Sequence, residues 1–338
     1  MIVMKFGGTS VGSAERMRAT ARIISEAHKP VVAVLSAMSG ITNKLIDLAA
    51  GRGDSDDIMR RHAETASQLG VEHAAGELNR ILSSARTEAE TVACGELMST
   101  TLMTAFMQAS GLDAVLVPAL DFMRVNEHGE PDTKAIRELA AHAIESAGKH
   151  EIYITQGFIC RDSNGDVATL TRGGSDYTAT LLGEALAADE VQIWTDVDGV
   201  YTADPRKVKE ARCIPTLSYG LADTAARCGA KILHPDCVQP ARRAGIEVKV
   251  LDSFHPEATG TTIGPVAGAS GFVAVAAVDS GDEAAVSLIG RNGDDDCTRV
   301  EAALPYALKV EVSRDKVTAT VPAANCAEAM NTLHGFIL

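Results

Sequence analysis

No apolar run in this 338-residue chain approaches the roughly 18 uninterrupted residues of a membrane-spanning helix, and Lys5 interrupts the first one before a signal-peptide core could form. Positive charge is also scarce. Thirty-one Lys and Arg stand against 45 Asp and Glu, giving a formal net charge of −14 and a pI near 5.1, with no local basic patch. Such a surface repels nucleic acid and anionic membrane, so neither is expected as a partner. A site for an anionic nucleotide would have to draw its positive potential from a few lysines, arginines and backbone N–H groups. The seven cysteines are odd in number and contain no C-x-x-C pair, in a chain too large to need disulfides. A reducing cytoplasm fits them. Cys228, His234 and Cys237 lie close together, but no fourth ligand is near, and structural thiols are the preferred reading over zinc. What remains, 46% hydrophobic and 22% charged residues, describes a globular protein, and at about 150 residues per domain the length suggests two domains.

Apolar runs at Val31–Leu35, Ala114–Val117, Ile152–Thr155, Val191–Trp194 and Val248–Leu251 alternate with helical spacings such as Met17, Ala21, Ile24 and Ala27. This pattern predicts an α/β fold, a three-layer αβα sandwich around a mostly parallel sheet. Asn164-Gly165, between Phe158–Arg161 and Val167–Thr171, predicts a hairpin with a two-residue turn. From Pro256 to Gly271 the chain turns rich in Gly, Pro, Thr and Ala, which marks a boundary: a first domain over 1–264, then a small α+β module over 265–338. In that module Phe272–Val278, Ala285–Ile289, Ala307–Val312 and Val317–Val321 read as strands and Cys326–Phe336 as an amphipathic helix. About 70 residues is near the lower limit for a free-standing domain, so the module is expected to pack on a neighbour, as in a dimer.

In parallel sheets ligands sit beyond the carboxyl ends of the strands, and four such ends here carry polar residues. The first is Lys5-Phe-Gly-Gly-Thr-Ser10, directly before a helix that Ser13 and Glu15 begin. Gly7 and Gly8 let backbone approach a ligand, and free N–H groups at a helix start favour an anion. The order is not that of a Walker loop, and by itself the segment fits a phosphate loop and a plain tight turn alike. Ser36 to Thr42 follows the second strand. Arg172-Gly-Gly-Ser-Asp176 is a second glycine-rich turn before a helix, with one cation and one anion, where Ser175 or Asp176 could also be simple caps. Thr195 to Arg206 is rich in aspartate but lacks the Gly and Glu of an EF-hand loop. Tyr201 and Arg206 there could serve a base and a phosphate, or belong to an irregular surface loop.

The segments Lys5–Val11, Ser36–Asn43, Gly95-Glu96-Leu-Met-Ser99, Thr155-Gln-Gly-Phe158, Arg172–Asp176, Trp194–Val197, Asp204-Pro-Arg206 and Gly229–Pro235 stand in the order seen in aspartokinases. The chain resembles that family over residues 1 to about 264, within the amino acid kinase fold. The resemblance implies transfer of the ATP γ-phosphoryl group to the β-carboxylate of L-aspartate, the first step toward the aspartate-derived amino acids. It implies Lys5, Asp176 and Lys231 as catalytic residues, and Thr42, Glu96, Arg172 and Ser175 as the aspartate site. Lys5, Gly7, Gly8, Thr9, Ser10, Thr195, Asp196, Tyr201, Arg206 and Lys231 would hold ATP, with Mg²⁺ bridging phosphate oxygens and few if any side-chain ligands. A homodimer is also implied.

Two departures stand out. Thr171 occupies a position where the family usually has glycine. The tail offers one ACT-sized stretch instead of two, with Gly293-Asp-Asp-Asp-Cys297 in place of an expected helix, so weak or absent feedback by lysine and threonine is expected. A kinase of another acidic amino acid, or a ligand-sensing pseudokinase, are the alternatives; retention of Lys5, Lys231 and Asp176 disfavours the second.

Overall fold

The computed structural model describes residues 1–170, 173–230, 233–265, 271–291 and 293–337. The chain divides into two compact units, residues 1–196 with 251–257, and residues 197–250 with 258–338.

The first unit contains β1 (Ile2–Phe6), α1 (Ala14–Glu26), β2 (Val31–Leu35), α2 (Ile41–Ala49), α3 (Ser55–Leu69), α4 (Ala75–Ser84), α5 (Glu88–Ala109), β3 (Ala114–Leu116), α6 (Ala119–Phe122), α7 (Thr133–Ala147), β4 (Ile152–Gln156), β5 (Ile159–Arg161), β6 (Val167–Thr169), α8 (Gly174–Ala185) and β7 (Glu190–Thr195). Five strands form a parallel sheet in the order β3-β4-β2-β1-β7. Strands covered on both faces need apolar side chains at nearly every position, and β1, β2 and β4 are buried throughout. Successive side chains alternate between faces. Ile2, Met4 and Phe6, with Val31, Ala33 and Leu35, enter one core with Met17 and Ile24 of α1, Ile41 and Leu45 of α2, and Met98 and Leu102 of α5. The opposite face, which carries Lys5, packs against α8. Helices on both faces give the three-layer α/β arrangement that the alternating pattern predicts.

Register aligns the carboxyl ends of the strands. Phe6 lies beside Leu35 and Trp194, and Leu35 beside Gln156, so the loops after β1, β2, β4 and β7 open on one edge. Helix α1 begins where expected, with the Ser13 hydroxyl accepting the Arg16 N–H. The long α5 begins with a reciprocal capping box between Thr87 and Glu90. The β5–β6 hairpin forms, but its connection is longer than two residues. Arg161 pairs with Val167, and the Asp162 carboxylate accepts the N–H groups of Asn164 and Asp166, drawing the intervening residues into a capped loop. Thr171 and Arg172 lie outside the described residues.

The second unit contains β8 (Thr216–Ser218), α9 (Tyr219–Arg227), α10 (Pro235–Ala244), β9 (Glu247–Asp252, its last two residues counted with the first unit), β10 (Thr261–Gly264), β11 (Gly271–Ser280), β12 (Glu283–Arg291), α11 (Asp296–Ala303), β13 (Lys309–Ser313), β14 (Lys316–Pro322) and α12 (Cys326–His334). Strands β11-β12-β14-β13 make an antiparallel sheet whose core joins Phe272, Val286, Leu288, Val317 and Val321 to Met330 and Leu333 of α12. Ala203 and Val208 enter the same core. The expected absence of a helix at Gly293–Cys297 is corrected: α11 starts inside that run. The acidic residues favour a helix N-terminus, and buried Asp296 accepts from Arg291 Nε at 2.7 Å. One of the two grounds for expecting weak feedback is thereby removed. No helix among the described residues is long and apolar enough to cross a membrane, and no disulfide links the seven cysteines.

A Cβ on Gly95 in α5 would lie 2.7 Å from the Ala37 Cβ and 3.1 Å from Leu45 Cδ1. Alanine ordinarily stabilises a helix interior relative to glycine, but the rigid Ala37 methyl reverses the sign. Gly95→Ala should lower stability by about 1–3 kcal/mol, read as an earlier midpoint in thermal or denaturant unfolding.

Candidate active site

A cavity of about 490 Å³ opens on the carboxyl edge of the first unit's sheet. Of the residues singled out from sequence, Gly7, Gly8, Thr9, Thr42, Glu96, Ser175, Thr195 and Asp196 line it. Gly7, Gly8 and Thr9 arrive on the turn after β1, Thr42 and Ser175 in the first turns of α2 and α8, Thr195 and Asp196 at the end of β7, and Glu96 from within α5. The turn after β1 closes through Ser10 N–H donating to the Gly7 carbonyl at 2.9 Å, and the Gly7 N–H donates to the Trp194 carbonyl at 3.2 Å. The Gly7 amide is therefore engaged within the sheet edge instead of facing an anion as expected. At Gly8 a Cβ would stand 2.9 Å from the Ala37 carbonyl oxygen, so only glycine lets the first loop meet the second.

Lys5 extends from the α8 face of β1, and its Nζ lies 2.7 Å from Asp176 Oδ1 in the first turn of α8. The contact is an ion pair without hydrogen-bond alignment. Both side chains are largely shielded, 11% and 23% exposed, so the charges attract across a medium less polar than water. Two left-handed glycines, Gly173 and Gly174 (φ 70° and 43°), turn the chain into α8. Ser175 behind them accepts a hydrogen bond from Ser36 Oγ at 2.8 Å. This packing requires glycine at 157, where a Cβ would fall 2.3 Å from that of Ser175.

Glu96 projects from α5 into the cavity wall and is 3% exposed. Its Oε1 accepts the Ala37 N–H at 3.1 Å, and its Oε2 has no hydrogen-bond partner. Burial pushes its carboxyl up to about 7, against the opposing effect of the Ala37 amide. A buried carboxyl with one unsatisfied oxygen in a cavity suits a cationic ligand.

Ser10 lies behind the cavity. It is fully buried, and its hydroxyl meets Ser253 Oγ at 2.7 Å. Ser253 also donates to the Thr195 carbonyl and receives Arg16, linking the ends of β1, β7 and β9. Tyr201 and Arg206 belong to the second unit, where Tyr201 donates to Asp198 at 2.6 Å and Arg206 pairs with Asp204. Arg172 and Lys231 lie outside the described residues. The cavity also exposes Ser36, Ser39 and Phe158. All three stand in segments that resemble the family's, yet a lone hydroxyl or ring in such a segment carries no chemical signature of its own in the sequence.

The profile of the amino acid kinase family matches residues 1–252. The chain belongs to the amino acid kinase family. The chain is 37% identical to lysine-sensitive aspartokinase 3 of Escherichia coli over 286 residues, 78% of its own length and 64% of the relative's. It spans between about a third and two thirds of the length of the curated relatives it matches. Its structure is similar to that of E. coli aspartokinase III in complex with lysine and aspartate (TM-score 0.84, 29% identity, covering 100% and 99% of the two chains). It is also similar to that enzyme in complex with aspartate and ADP (TM-score 0.70, 31% identity, 97% and 80%).

In this member of the family the raised carboxyl of Glu96 has a stability consequence. The folded state holds a proton at Glu96 that the unfolded chain releases near 4.5, so stability falls as pH rises from about 4.5 to about 7, by on the order of 3 kcal/mol. Glu96→Gln should raise the melting temperature at pH 8 and leave it nearly unchanged at pH 4.5. An equal change at both pH values would show that Glu96 is not buried as an ionisable acid.

Proposed function

We propose that the chain is an aspartate kinase, transferring the γ-phosphoryl group of MgATP to the β-carboxylate of L-aspartate to give 4-phospho-L-aspartate and ADP. The observation that carries this reading is Glu96: a buried, half-satisfied carboxyl in a cavity that opens beside the Lys5–Asp176 pair. An amino acid supplies the ammonium that such a carboxyl lacks. The complexes of the E. coli relative, with lysine and aspartate and with aspartate and ADP, support the choice of aspartate and of an adenine nucleotide.

A carboxylate nucleophile is already ionised at neutral pH, so the reaction needs no strong base. The obstacle is repulsion between that anion and the phosphates, and catalysis becomes alignment and charge neutralisation. Lys5 would neutralise the transferring phosphoryl group, with Lys231 as the second cation, and Asp176 would hold Lys5 in place. Glu96 would bind the substrate ammonium, Arg172 a substrate carboxylate, and Thr42 and Ser175 would donate hydroxyls. Thr9, Gly8, Thr195, Asp196, Tyr201 and Arg206 would serve the nucleotide, with Gly7 and Ser10 shaping the loop from behind. Mg²⁺ would arrive with ATP and bridge its phosphate oxygens. On the same reading residues 1–264 are the catalytic domain and 265–338 an ACT-like module, in a cytoplasmic homodimer that makes the first intermediate of the aspartate-derived amino acids.

Hydroxylamine trapping of the acyl phosphate tests the proposal. Aspartate with ATP should give hydroxamate, and Lys5→Ala should reduce the rate by roughly 10²–10³-fold. No product from aspartate, while ATP still perturbs the fluorescence of the single tryptophan, Trp194, would overturn it. Because Glu96 must be ionised to receive an ammonium, the KM for aspartate should fall as pH rises through about 7 and then level off.

A further inference from the structure

The wall of the cavity contains one strained residue, Phe158. It has a positive φ of 67° and sits at the centre of a γ-turn in which Ile159 N–H donates to the Gly157 carbonyl at 2.7 Å. Side chains rarely occupy that conformation, and glycine would occupy it without cost. Gly157 is adjacent, so the chain could place glycine here, yet it carries a ring. The turn is held from both sides: the Phe158 N–H donates to Thr178 Oγ1 at 3.0 Å, and its carbonyl accepts the Leu170 N–H at 2.8 Å. Inverting the backbone lays the ring against Gly174 at the start of α8, where a Cβ would already be 3.4 Å from Cδ2. Strain retained at a cavity wall points to a function for the side chain.

We infer that Phe158 is a specificity-determining residue that limits the length of the acidic amino acid accepted. This rests on the reading of the cavity as an amino acid site with its ammonium at Glu96. With that end fixed, the room for the side chain is set by the rest of the wall, in which Phe158 is the one aromatic ring among the described residues. Because the backbone hydrogen bonds fix the Phe158 Cα, the main chain does not withdraw to admit an extra methylene, and the ring offers no hydrogen bond in exchange. It discriminates by exclusion.

The experiment compares aspartate with glutamate in the full chain, in Phe158→Ala and in Phe158→Leu. One methylene in a fitted pocket is worth about 10–200-fold, so Phe158→Ala should raise the glutamate-to-aspartate ratio of kcat/KM at least tenfold. Phe158→Leu, which keeps most of the bulk, should raise it less, and the KM for ATP should stay within about twofold. Relative affinity for the two amino acids, which should shift in the same direction, is read without turnover from the melting-temperature shifts that they induce. An unchanged ratio in folded variants, or equal losses toward both amino acids and ATP, would overturn the inference. Absence of acyl phosphate from aspartate in the unaltered chain would instead count against the kinase reading, while the melting shifts still report on Phe158.

Discussion

Around the carboxyl edge of the first unit's sheet, backbone segments approach one another more closely than any Cβ permits. Gly8 meets the Ala37 carbonyl, Gly95 meets the Ala37 methyl, and Gly157 meets Ser175, each at a separation that a side chain would reduce below 3 Å. Ala37 is thus enclosed from two directions, and its N–H is left facing Glu96. The cavity exists because the loops after β1, β2 and β4 can close to this distance. Each polar group of the site inherits its position from that closure.

Electrostatics then follows from burial. Glu96 is hard to ionise because its helix sinks it into the wall, not because an anion stands beside it. Lys5 and Asp176 are brought together by the alternation of side chains along β1, which directs Lys5 to the face covered by α8, and by the left-handed glycines that begin that helix. A preset pair of opposite charges at the same sheet edge as an under-satisfied carboxyl suits a reaction whose difficulty is crowding of negative charge.

The second unit shows how far local chain order can depart from packing. Thr202, next to Tyr201, accepts the Val275 N–H at its carbonyl and meets His334 Nε2 at 2.8 Å through its hydroxyl. Ala203 and Val208 lie in the core of the four-stranded sheet. A segment that precedes the C-terminal module in sequence is therefore part of its interior.

Much of this was legible in the sequence. The buried strands reveal themselves as apolar runs because a parallel strand covered on both faces is apolar at nearly every position, and the glycine pairs and helix caps are equally local signals. So are the motifs that disclose the family. Only the tertiary structure decided the rest. The contact between Ser10 and Ser253 spans 243 residues, the longer loop of the β5–β6 hairpin depends on a carboxylate bonding back to its own turn, and α11 forms within an acidic run because Arg291 neutralises Asp296. The unsatisfied oxygen of Glu96 and the strain at Phe158 are likewise invisible in one dimension. Desolvation, pairing and strain depend on neighbours that are distant along the chain, and a sequence pattern encodes which residues are apolar or flexible, not which groups will be left buried against one another.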